Sequence, residues 1–209
     1  MKPSKQLWKN IILPTLSLSL LCLLVTFAIV GTHALTANRI EKQHQLLLHQ
    51  SLEQLIPANQ YETLHFNEEE NYTIFVALTD DGTILGHLFL TSTFGYSGDV
   101  QVLTAIVDGT IKAIDVVDAS GETPGLGQNI REESFTKLFK NLNVPPTLTR
   151  GEPTQEGEIQ AITGATISAD AVVQSVARAM ELYEAYIALR HCEEHSDEAI
   201  HKNTLHLST

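Results

Sequence analysis

Cysteine is scarce in this chain, with only Cys22 and Cys192 among 209 residues. The first lies in an apolar run and the second in the far tail, so no intramolecular disulfide is expected. Two thiols also cannot hold an iron–sulfur cluster in the usual four-thiolate manner; if the protein moves electrons, an organic cofactor must carry them. Basic side chains are few as well, 13 Lys plus Arg against 25 Asp plus Glu, for a formal charge of −12. Three of those bases (Lys2, Lys5 and Lys9) stand at the extreme N-terminus, which leaves the remainder more acidic still. A surface of that sign repels nucleic acid and excludes a basic-patch binder. Neither a phosphate-cradling Gly-Lys-Ser/Thr loop nor a Gly-x-Gly-x-x-Gly fingerprint occurs. Ser97, Ser120 and Ser168 lack a nucleophile elbow, so no catalytic residue is assigned. His191, Cys192, Glu194 and His195 can be drawn as a metal cluster, but their segment lacks a sustained apolar face, and no metal site is assigned.

What the chain has in quantity is apolar content, 43% of its residues, which argues against wholesale disorder. It is unevenly placed. Ile11 to Val30 contains no charge and matches the ~20 residues a helix needs to cross the hydrocarbon core. Pro14 sits near its start, where a helix tolerates proline. The lysines precede this run and the first acid is Glu41, so the positive-inside rule places residues 1–10 in the cytoplasm and translocates the rest. Thr32-His33-Ala34 loosely resembles a signal-peptide cleavage site, but the apolar run exceeds the usual h-region, and an uncleaved anchor over 11–30 is expected.

Beyond the anchor, Leu46, Leu47, Leu48, Leu52 and Leu55 predict an amphipathic helix ended by Pro57, a stalk or packing helix within 31–60. Residues 72–79 and 83–93 read as strands joined at Asp80-Asp81-Gly82, and 100–107 and 110–117 as a second pair joined at Asp108-Gly109. Phe135, Leu138, Phe139 and Leu142 mark one face of a helix over 132–142 stopped by Pro145-Pro146. A polar Gly/Pro-punctuated stretch, 147–160, follows. Ala171, Val172, Val176, Ala179 and Met180 recur at helical spacing after Ser168, the expected N-cap. Strands followed by helices without βαβ alternation give an α+β class, a mainly antiparallel sheet of about four strands with packed helices, preceded by one transmembrane helix. The domain proper covers 61–190, and 191–209 is an extension expected to be disordered.

Three segments carry the functional signal. Gly95-Tyr96-Ser97-Gly98-Asp99-Val100 is glycine-rich. Glu122-Thr123-Pro124-Gly125-Leu126-Gly127 allows close backbone approach and positive φ while Pro124 stiffens the turn. Thr163-Gly164-Ala165-Thr166 combines a tight turn with a hydroxyl at a helix start, where orphan N–H groups and the dipole favour a phosphate. In this order they resemble the FMN-binding domain of the G subunit of the Rnf electron-transport complex, and are similar to the C subunit of the sodium-translocating NADH:quinone reductase. The resemblance runs from the anchor to about Tyr186.

That resemblance implies covalent FMN, a phosphoester on Thr166 made by a dedicated flavin transferase. It implies a cofactor site of Thr163, Gly164, Ala165 and Thr166 with Glu122, Thr123, Gly125, Leu126 and Gly127. It further implies a single-pass protein of the bacterial inner membrane, with its C-terminal domain periplasmic and other membrane subunits of an Rnf-like complex as partners, relaying electrons within a translocase coupled to ferredoxin and NAD. Two positions depart from the family pattern: Gln160 stands where the attachment motif usually has Asp, and Ser120 where a His usually precedes the Glu-Thr-Pro-Gly segment. Gln160 keeps open a second reading, an anchored binding or assembly module that retains the fold without flavin.

Overall fold

The computed structural model describes residues 12–67 and 72–206, so Lys2, Lys5 and Lys9 lie outside the described residues. The chain divides into two units, residues 1–47 and 48–209. One helix, α1 (Leu13–Leu55), passes through the boundary, where the sequence suggested an anchor and a separate amphipathic helix. In the first unit, Leu13–Ala37 is apolar on all sides and wholly uncovered by protein, the pattern of a helix whose solvent is hydrocarbon. Thr26 turns its hydroxyl back onto the helix backbone, donating to the Cys22 carbonyl at 2.8 Å, and Thr36 does the same to that of Thr32 at 3.0 Å. No polar group is thereby left for lipid to satisfy at those positions.

The second unit is built on a five-stranded antiparallel meander in spatial order β1 to β5: Gln60–Asn67, Tyr72–Leu78, Ile84–Phe94, Asp99–Val107 and Thr110–Asp118. The β4–β5 turn is Asp108-Gly109 with both residues at positive φ, 52° and 73°, the geometry a two-residue hairpin prefers. β2 to β5 fall within a residue or two of expectation, whereas β1 was missed. Its sequence, QYETLHFN, has no apolar alternation, because an edge strand can be held by its ladder to β2 rather than by burial.

Alternation on the central strands divides the sheet into two apolar faces. Phe89, Val102 and Ile106 pack with Val172, Val176 and Met180 of the last helix, while Leu88, Leu103 and Ala105 pack with Leu52 and Ile56 at the end of α1. Ser51 donates to Asp115 across this second face at 2.5 Å. After β5 come a 3₁₀ turn, Gly127–Arg131, a short helix α2 (Glu133–Thr136) and a second 3₁₀ turn, Lys137–Phe139. The single helix expected over 132–142 is thus broken. Phe135 and Phe139 are buried as an edge-to-face pair, but Leu138 is 42% exposed, because the change of helical pitch turns it off that face. Within the stretch read as polar loop, β6 (Thr147–Thr149) and β7 (Glu158–Gln160) form a small parallel pair.

The last helix, α3, runs Thr166–His206. The backbone of the extension expected to be disordered is therefore helical through His206, consistent with the absence of Gly and Pro between 166 and 206. The side chains of His191, Cys192, Glu194 and His195 lie outside the described residues.

His87 on β3 is buried against Tyr183 and Tyr186 of α3, with ring centroids 5.7 and 5.1 Å away, and its Nε2 has no hydrogen-bond partner among the described residues. Burial, and then the positive charge of Arg190, hold its pKa below the ordinary histidine value. The unfolded chain therefore binds the proton more readily, and the contribution of His87 to stability is complete above pH ~6.5 and falls as the pH drops below that. His87→Phe is expected to flatten this part of the stability–pH profile, measured by urea unfolding between pH 5 and 8. An unchanged profile would assign the pH dependence to other groups.

Candidate cofactor-binding site

The three glycine-containing segments meet at one end of the sheet. The first turns the chain from β3 into β4, closed by the Gly95 N–H donating to the Gly98 carbonyl at 2.8 Å. The second follows β5, with Gly125 at φ 73° and the N–H groups of Leu126 and Gln128 both donating to the Thr123 carbonyl at 3.2 Å. The third enters α3 through Gly164 at φ 82°, a conformation natural to glycine, and the Ala165 N–H donates to the Ile162 carbonyl at 3.0 Å.

Between them lies a cavity of about 380 Å³, within the range that takes a drug-sized ligand. Of the expected residues, Glu122, Thr123, Leu126, Gly127, Gly164, Ala165 and Thr166 line it, joined by Tyr96, Ile167 and Ser168. Thr163 and Gly125 are not in the lining. Both are exposed, and Gly125 shapes the turn that carries Leu126. Tyr96 and Ile167 form an exposed apolar rim, at 63% and 54% of their surfaces. Tyr96 was legible within its motif as an aromatic in a glycine-rich turn. Ile167, a β-branched residue beside the Thr166 hydroxyl, carried no distinguishing signal.

The helix start differs from expectation in a way that matters chemically. Thr166 is the first helical residue and the Ala165 carbonyl accepts the Ala169 N–H at 2.9 Å, so Ala165, not Ser168, occupies the N-cap position. A methyl group accepts no hydrogen bond, and the first-turn N–H groups are left for something other than a capping side chain. Ser168 instead faces inward and donates to Glu122 Oε2 at 2.5 Å. Glu122, only 2% exposed, accepts the Tyr96 N–H at 2.7 Å and the Ser97 N–H at 3.5 Å through Oε1. A partly buried hydroxyl at a helix start, uncapped donors beside it and an apolar rim fit a ligand with a phosphate at one end and a flat ring at the other.

The two residues that depart from the family pattern lie elsewhere. Ser120 is exposed and its N–H donates to Asp118 Oδ1 at 2.8 Å, while Gln160, exposed on β7, borders a separate cavity of about 250 Å³ with Glu132 and Ser134. Among the described residues no cluster of His, Cys, Asp and Glu is arranged to hold a metal.

Comparison with known proteins adds to this geometry. The FMN-binding domain family matches residues 95–181, which contain all three loops, and the RnfG N-terminal region matches residues 1–55. The G subunit of the Na(+)-translocating ferredoxin:NAD(+) oxidoreductase complex of Acetobacterium woodii is 31% identical over 198 residues, covering 85% of this chain and 93% of that protein. The chain belongs to the RnfG family. Another member, from Aliivibrio fischeri, is named as the G subunit of an ion-translocating oxidoreductase complex and is 26% identical, over 82% of this chain and 90% of its own length. A crystal structure of the C subunit of the Na(+)-translocating NADH-quinone reductase of Parabacteroides distasonis superposes with a TM-score of 0.44 at 23% identity, covering 51% of this chain and 58% of that one. As an RnfG family member with an apolar helix at its N-terminal end, the protein is membrane-anchored.

Proposed function

We propose that this protein is the flavoprotein electron-relay component of an Rnf-like ion-translocating oxidoreductase, with FMN held as a phosphoester on Thr166. The observation that carries this reading is the convergence of three segments, distant in sequence, on one cavity whose floor is the uncapped start of α3 with Thr166 as its first residue. FMN supplies two-electron acceptance with one-electron release when bound. The protein's part is placement. Thr166 tethers, the N–H groups of the first turn receive the phosphate, Gly164 lets backbone approach, and Tyr96, Leu126 and Ile167 give the ring an apolar surround. No side chain is assigned an acid or base role. Donor and acceptor come from other membrane subunits of the complex, and a flavin transferase installs the cofactor.

Coexpression with a flavin transferase tests the reading. The purified chain is expected to fluoresce after denaturing electrophoresis and to gain the mass of one FMN minus water. No adduct on the parent or on Gln160→Asp, beside a control substrate that is modified, overturns it in favour of an anchored module without flavin.

The proposed orientation keeps the N-terminal lysines cytoplasmic and the domain periplasmic. A reporter fused after Tyr186 is expected to be active only outside the cytoplasm. Activity only inside would reverse the topology.

A further inference from the structure

We infer that Glu122 is a positioning residue that braces the cavity's three walls to one another, rather than a ligand of the cofactor, an inference that rests on the flavin reading of the site. Its carboxyl group is buried and both oxygens are engaged. Oε1 receives backbone N–H groups from the 95–98 turn, and Oε2 receives the hydroxyl of Ser168 in the first turn of α3. A single side chain thus links the β3–β4 turn, its own loop after β5 and the helix that carries Thr166.

The glycines around it are explained by the same group. A Cβ on Gly127 would stand 2.7 Å from Glu122 Oε2 and 2.9 Å from Ser168 Oγ, and a Cβ on Gly95 would overlap Oε1. Gly121 and Gly98 pack backbone to backbone beside it, a Cβ on Gly121 falling 3.0 Å from the Gly98 Cα. Three loops with little apolar burial of their own are in this way held at fixed separation. A cavity held open before its ligand arrives does not have to order those loops on binding, which lowers the cost of association.

Glu122→Gln and Glu122→Leu separate a brace from a ligand. Gln keeps an oxygen for the Tyr96 and Ser97 N–H groups and offers an N–H to the Ser168 oxygen. Leu keeps the bulk and loses every bond. In the full-length chain without flavin, amide hydrogen exchange at Tyr96 and Ser97 is expected to accelerate at least about tenfold in the Leu variant, as befits loss of a partly buried, charge-assisted hydrogen bond, and to stay near the parent in the Gln variant. Protection of the Leu103 amide in β4 serves as the control for folding. In the FMN-loaded chain, iodide quenching of flavin fluorescence is expected to rise several-fold for Leu and little for Gln. If Leu prevents folding, Ser168→Ala removes one arm of the brace and is expected to raise the iodide quenching alone. Unchanged exchange at Tyr96 and Ser97 in the Leu variant overturns the inference. So does a Gln variant whose flavin is perturbed as much as that of Leu while the turn amides remain protected, since the carboxyl group would then act on the flavin directly. A parent chain that carries no flavin defeats the flavin reading instead, and the exchange experiment still decides the brace.

Discussion

Thr166→Ala is expected to remove the flavin adduct completely, so that intact mass returns to the unmodified value, while the thermal transition of the apoprotein moves little. Only the Thr166 side chain offers a hydroxyl at the start of α3 within the cavity and without an inward partner of its own, since Ser168 is committed to Glu122. Thr166 is only partly buried, so truncation to Ala creates no core cavity, and Ala has the higher helix propensity. Thr163→Ala is the paired control. Thr163 is exposed and absent from the lining, and its loss is expected to leave most of the adduct in place. Equal loss from both variants would mean that the attaching enzyme reads the linear motif and that the hydroxyl's place in the cavity is immaterial.

Phe89→Ala is expected to have the largest effect on stability, about 3–5 kcal/mol by the usual cost of emptying a buried aromatic site. Phe89 is fully buried at the centre of the face on which α3 lies, edge-on to Tyr183 at 6.2 Å. The same packing fixes the helix whose first residue is Thr166, so loosening it disturbs the site as well as the core. Urea unfolding of the variant against Leu189→Ala, a truncation at an exposed position of α3, measures the difference. A cost within about 1 kcal/mol of that control would show that the sheet and α3 repack around the gap.

The sequence made the central hairpins legible because their strands are rich in β-branched, aromatic and aliphatic residues and their turns carry Asp-Gly pairs. Edge strand β1, sustained by ladder bonds, left no such trace. The broken helix around Phe135 and Phe139 misled for a related reason, since a spacing of four is compatible with one continuous helix and also with two short turns of different pitch. The site's composition was visible as three motifs, and of the expected residues all but Thr163 and Gly125 reached the cavity. The identity of the N-cap was not visible, because Ser168 has the right chemistry for a cap and only the packed position of Glu122 shows that its hydroxyl is already used. Glu122 was itself read from the sequence as lining, and the geometry that gives it another role depends on a turn 25 residues earlier and a helix 46 residues later.

The order of the strands has a kinetic consequence. Each hairpin of the meander joins neighbours in sequence, and such local closures are fast because little chain entropy is lost. Helix α3 is different: Thr91 donates to the Ser175 carbonyl at 3.0 Å across a separation of 84 residues, and Ser175 donates to Thr93 at 2.8 Å across 82. The sheet can form while α3 is still absent from its face, but the cavity cannot, since one wall is the start of that helix. Completion of the site is thus expected to follow formation of the sheet, and a cofactor that needs the finished cavity would be accepted only once α3 has docked.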